Sequence, residues 1–161
     1  MTDAVPEAVA RFASVAAEYC RWAETDPFDR DAEGGQAMKL LVALYGSALD
    51  LPAVDAAEEF EPPGVSQQEW DKVYRRFAAL PVGYYSEIFN PLTVPPEEPV
   101  VGDAADDCAD IYRDVKSGLQ IFSAGAWPAA VEYWRENFRI HWGRHATSAL
   151  NALHAHATHA A

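Results

Sequence analysis

The chain has 161 residues, half of them apolar, with 25 Asp and Glu against 12 Lys and Arg and a formal net charge of -13. That length and apolar content suit one domain with its own core, residues 1–161, and exclude wholesale disorder. The acidic balance excludes a nucleic-acid or anionic-membrane partner, since both need clustered Lys and Arg.

The first predicted helix runs from Val5 to about Glu24, with Val9, Phe12, Ala16 and Tyr19 on one apolar stripe. Thr25-Asp26-Pro27 breaks it. A second helix covers roughly Gln36 to Asp50 and is apolar on most sides, with Gly34 and Gly35 blurring its start. Residues 55–64 read as an acidic loop closed by Pro62-Pro63-Gly64.

Ser66 and Glu69 then form a capping-box pattern ahead of Trp70, Val73, Tyr74, Phe77 and Leu80, so a third helix starts there and stops at Pro81. Gly83 to Phe89 reads as a short aromatic helical turn covering the core, followed by a proline-rich crossover. Two long helices close the chain, Asp103 to Ser123 and Pro128 to His156, separated by Ala124-Gly125-Ala126-Trp127 and therefore antiparallel. From about residue 154 the Ala-rich end, with His154, His156 and His159, reads as a frayed tail. The expected fold class is an all-α, single-domain bundle of about five helices, the last two a long antiparallel hairpin.

Charge is unevenly distributed. Residues 1–114 hold 8 Lys and Arg against 23 Asp and Glu, residues 115–161 hold 4 against 2, and all five histidines lie in the last 21 positions. On the fourth helix a carboxylate stripe of Asp103, Asp107, Asp110 and Asp114 runs beside the apolar one. Asp110 and Asp114 stand too deep for the helix dipole to favour them, and like charges four apart repel, so they need cations, water or a metal.

On the last helix His141 and His145 fall at the centre of the apolar face, one turn apart. A tight hairpin near Ala126 sets Asp110 and Asp107 level with His141 and His145, and Asp114 near Phe138 and Arg139. Asp107, Asp110, Asp114, His141 and His145 are thus a candidate ligand or structural cluster. As a metal site, Asp107, Asp110, His141 and His145 suit a divalent ion, with one carboxylate orienting a ligand or bound water. As a structural feature, the same pairs lock two helices in register.

Other signals are weaker. Asp106-Asp107-Cys108-Ala109-Asp110 matches the DDxxD string of all-α isoprenoid synthases, but no second acidic motif accompanies it. Glu58 and Glu61 have the ExxE spacing of helical pyrophosphohydrolases, yet stand where Pro62 ends any helix. Cys20 and Cys108 lie far apart among apolar neighbours and read as core residues. Asp3 and Glu7 stand where a secretory leader is basic, and no apolar run reaches spanning length, so a cytoplasmic location is expected.

About the last third of the chain resembles a bacterial family, domain of unknown function 5063. The resemblance rests on Asp107, on Ala109-Asp110-Ile111-Tyr112-Arg113-Asp114, Lys116 and Gly118-Leu119, and on His141-Trp142-Gly143-Arg144-His145 with Ala149-Leu150; Phe89-Asn90-Pro91-Leu92 is similar too. It departs from the family pattern at Cys108 and Val115, where Leu is expected, and at Asn151, where a basic residue is expected. It implies a helical fold and assigns no chemistry.

The function expected first is a non-catalytic helical module binding a protein partner or a small ligand. The acidic face would steer a basic partner. The alternative is a metal-dependent, hydrolase-like enzyme using the Asp/His cluster.

Overall fold

A computed structural model describes residues 4–56 and 60–159. The chain is mostly α-helical. Helix α1 (Glu7–Glu24) buries Val9, Phe12, Ala16, Tyr19 and Ala23 along one stripe. Helix α2 (Arg30–Leu49) starts six residues before the sequence expectation, because Asp29 caps it by accepting from the N–H groups of Asp31 and Ala32. Gly34, which blurred that start, lets the helix pass close to Pro81. The described part of the acidic loop, residues 55–56 and 60–64, has no helix or strand; 57–59, Glu58 among them, lie outside the described residues.

Helix α3 (Gln67–Phe77) begins with the expected capping box: the Glu69 N–H donates to Ser66 Oγ at 3.2 Å and the Ser66 N–H to Glu69 Oε2 at 2.8 Å. Residues 84–89 correct the sequence reading. Strand β1 (Tyr84–Glu87) pairs antiparallel with β2 (Val100–Asp103), Tyr84 opposite Asp103 and Glu87 opposite Val100. Two distant segments must meet to make this ladder, and no period in either announces it. Tyr85 alone of these aromatics packs on the core, while Tyr84 and Phe89 are exposed.

Asp103 caps α4 (Ala104–Ser123), the axial helix, which packs against α1, α3 and the chain's last helices. After a turn through Gly125, whose φ of +85° suits glycine, come α5 (Trp127–Asn137), one π-helical turn (Phe138–Trp142) and α6 (Gly143–His159). Helix α6 continues through His159, past the point where fraying was expected; residues 160–161 lie outside the described residues. Helix α2 closes the bundle against α1 and α6. The core centres on Phe12, Trp134 and Trp142, and Gly118 lets Trp134 lie against α4, where its indole donates to the Val115 carbonyl. Cys20 and Cys108 are free, buried thiols, as expected.

The π turn changes which face is buried. One extra residue in that turn rotates everything after it, so Trp142, Ala146, Ala149 and Leu153 take the core positions. His141 and His145 move from the expected centre of the apolar face to its edge. Gly143 permits the turn, since a Cβ there would meet the Phe138 carbonyl oxygen at 2.5 Å.

Candidate functional site

The site lies where α4 runs beside the π turn and α6. Spacings of three and four put Asp107, Asp110 and Asp114 on one side of α4. His141 Nδ1 lies 2.6 Å from Asp114 Oδ2, and His145 Nδ1 lies 2.6 Å from Asp107 Oδ1. A neutral imidazole donating from Nδ1 carries its lone pair on Nε2. Both Nε2 atoms turn towards the same atom, Asp110 Oδ2, at 3.4 and 3.7 Å, too far for good hydrogen bonds. The two rings meet edge to face, centroids 4.7 Å apart.

Each carboxylate divides its oxygens. Asp110 Oδ1 accepts from Trp70 Nε1 on α3 at 2.8 Å, leaving Oδ2 for the imidazoles. Asp107 Oδ2 accepts from the Tyr85 hydroxyl on β1, which crosses β2 over Gly102, where a Cβ would strike its ring. The Asp107 and Asp114 side chains are 8 % exposed, whereas His141 is 38 %, His145 25 % and Asp110 17 % exposed. The supporting Asp107 and Asp114 are thus buried, and the residues whose atoms they aim are part-exposed.

Burial pushes the Asp114 carboxyl above the usual range, with the His141 hydrogen bond opposing. Burial and the Asp110 charge do the same to Asp106. For His145 burial favours the neutral ring, but the Asp107 hydrogen bond and the charges of Asp107, Asp110 and Asp106 prevail and raise its pKa. Burial first, then Asp107, raises the Tyr85 phenol. The carboxylates Asp106, Asp107, Asp110 and Asp114 outnumber the cations near them even with both imidazoles protonated and Arg113 counted.

Asp110, His141 and His145 each offer one donor atom, all within 4.8 Å of one another. Tetrahedral zinc with bonds of about 2.0–2.1 Å has ligand–ligand edges of about 3.3 Å, close to the separations from Asp110 Oδ2. Nitrogen and oxygen donors of this kind fit zinc or iron(II).

All five residues singled out in the sequence are brought together, with two changes of part. Asp114 pairs with His141, half a turn from the expected Phe138 and Arg139, and Asp107 stands behind His145 rather than among the donor atoms. His154, His156 and His159 are exposed on α6 and take no part. Trp70 and Tyr85 escaped sequence reasoning as site residues, because aromatic residues at helical or strand positions read as core until their polar ends find partners; nothing in the spacing of α4 singled out Arg113. A cleft of about 510 Å³ containing Lys72, Arg75 and Tyr112 is lined by none of the cluster.

The chain belongs to the family described as domain of unknown function DUF5063, which matches residues 3–159. No curated protein matches it. The crystal structure of protein BF1032 from Bacteroides fragilis is similar, with a TM-score of 0.76 and 24 % identity over 92 % of this chain and 90 % of that one. At that identity the likeness establishes the fold alone. Among the described residues no helix is long and apolar enough to cross a membrane.

Proposed function

We propose that this protein is a helical module that binds a divalent transition-metal ion through Asp110 Oδ2, His141 Nε2 and His145 Nε2. One observation carries the reading: two imidazoles, each held by a carboxylate at Nδ1, aim their Nε2 atoms at one carboxylate oxygen. Outer carboxylates of this kind orient metal-bound histidines and raise their basicity. Asp107 and Asp114 have that part here, and Asp110 is set by Trp70.

The competing reading is a lock between helices. A lock needs matched charges and closed hydrogen bonds; this cluster has surplus carboxylates and solvent-facing donors, which favours a cation. Remaining coordination positions would face solvent, leaving room for water or a small ligand. The same opening is what metal-dependent hydrolysis would need. The cytosol is the compartment we infer, supported by the two free thiols. A basic protein partner drawn by the acidic surface is compatible with the metal site.

The test is a thermal-shift scan of chelator-stripped protein against Mg, Mn, Fe(II), Ni and Zn, with His141→Ala alongside. A metal at a hundred times its dissociation constant adds about 2.7 kcal/mol. For a domain this size that raises Tm by roughly 5–10 °C. The expected result is such a rise with zinc or iron(II), weak with Mg, and absent in His141→Ala. No rise with any metal, and a variant that is merely less stable, would identify the cluster as a lock.

A further inference from the structure

Arg113 follows Asp110 by one turn of α4, between two carboxylates, yet its guanidinium makes no hydrogen bond among the described residues. Its nearest ion-pair oxygen is Asp110 Oδ1 at 3.8 Å, beyond hydrogen-bond reach. That oxygen accepts from Trp70, and Asp114 Oδ2 is taken by His141. The guanidinium lies over the Trp70 ring, 5.1 Å from its centroid, and the side chain is 37 % exposed. Trp70 therefore sets two groups at once: its N–H holds Asp110, and its face carries Arg113. The planar fork is held in place with its donors unspent.

A guanidinium fork is matched by the paired oxygens of an oxyanion. We infer that the site takes a phosphate group, free or as a small ester, held jointly by the metal ion and Arg113. This rests on the metal reading above. A tetrahedral oxyanion can give one oxygen to the metal and two to the fork, which the two oxygens of a carboxylate cannot do at once. Asp106, whose carboxylate makes no hydrogen bond or ion pair among the described residues, stands one turn away at the His145 end. Its charge repels an anion there and leaves the Arg113 end as the place where phosphate sits.

The experiment uses the full chain loaded with Co(II), whose visible spectrum reports changes in coordination, together with calorimetric titration. Co(II) uptake is measured first, then inorganic phosphate is added, with acetate as the carboxylate probe. The expected result is a phosphate-dependent change in the Co(II) spectrum, weaker with acetate and accompanied by binding that requires the metal. Arg113→Gln should weaken phosphate roughly ten- to a hundredfold while leaving Co(II) affinity within a few-fold, since a charged hydrogen bond is lost but no metal ligand is. Arg113→Lys should fall between them.

Failure to take up Co(II) would overturn the metal reading, and this inference with it. Normal Co(II) uptake with phosphate bound equally by wild type and Arg113→Gln, or not bound at all, would overturn the phosphate inference alone. Acetate bound as tightly as phosphate would replace it with a carboxylate site.

Discussion

Arg76 and Glu33 tie α3 to α2 with side chains 8 % exposed each, whereas the Asp/His cluster ties α4 to the π turn and α6 through part-exposed Asp110, His141 and His145. In the first, one cation meets one carboxylate, Glu33 also accepts from Trp22 Nε1, and Arg76 Nε donates to the Thr25 carbonyl. The guanidinium lies over the rings of Trp22 and Phe77. In the second, carboxylates exceed cations and two imidazole nitrogens and a guanidinium fork lack hydrogen bonds. Both clusters join helices. The difference is one of charge balance and closed hydrogen bonds, present in the first cluster and lacking in the second, and the proposed ligand site rests on it.

The largest effect should come from breaking the closed cluster. Arg76→Met leaves Glu33 buried and unpaired and should cost about 3–5 kcal/mol, read by denaturant unfolding. Metal affinity should stay unchanged wherever the variant is folded; a parallel loss would show that the clusters are coupled.

A smaller effect is expected behind the imidazoles. Asp107→Asn and Asp114→Asn should each lower metal affinity about ten- to a hundredfold, measured by competition with a chromophoric chelator. Unchanged affinity would remove both carboxylates from the site.

The smallest effect is on pH dependence without metal. The folded pKa of His145 is raised, so the stability it contributes is present below its ordinary pKa of 6.5 and lost as pH rises through the folded value. The groups that set it are Asp106, Asp107 and Asp110 on α4, with Tyr85 holding Asp107 from β1. Metal binding has the opposite sign, because the proton must leave. The Tm advantage of metal-free wild type over His145→Gln should therefore shrink as pH rises from about 5.5 to 8, while the metal-induced shift grows. Parallel trends would exclude competition between proton and metal.

Much was legible in the chain. Local chemistry determined the capping box of α3, the stripe of α1, the buried thiols and the approach of α4 to the last helix, because each depends on residues a few positions apart or on one short connection. The five Asp and His residues of the candidate cluster were singled out the same way. What helical spacing missed was the π turn. It depends on Gly143 accommodating the Phe138 carbonyl and on Trp142 finding space beside Phe12.

That single turn carries both histidines from the buried face to its rim, where their side chains are part-exposed and their Nε2 atoms turn towards Asp110. Trp70 and Tyr85, which hold the Asp110 and Asp107 carboxylates, come from α3 and β1, 40 and 22 residues away along the chain. The sequence alone determined most of the helices and which acids and imidazoles lie between α4 and the end of the chain; it set Asp114 beside Phe138 and Arg139, where the structure pairs it with His141. Only the tertiary structure decided which atoms are satisfied and which are left free, because that depends on partners brought together by the packing of the whole bundle.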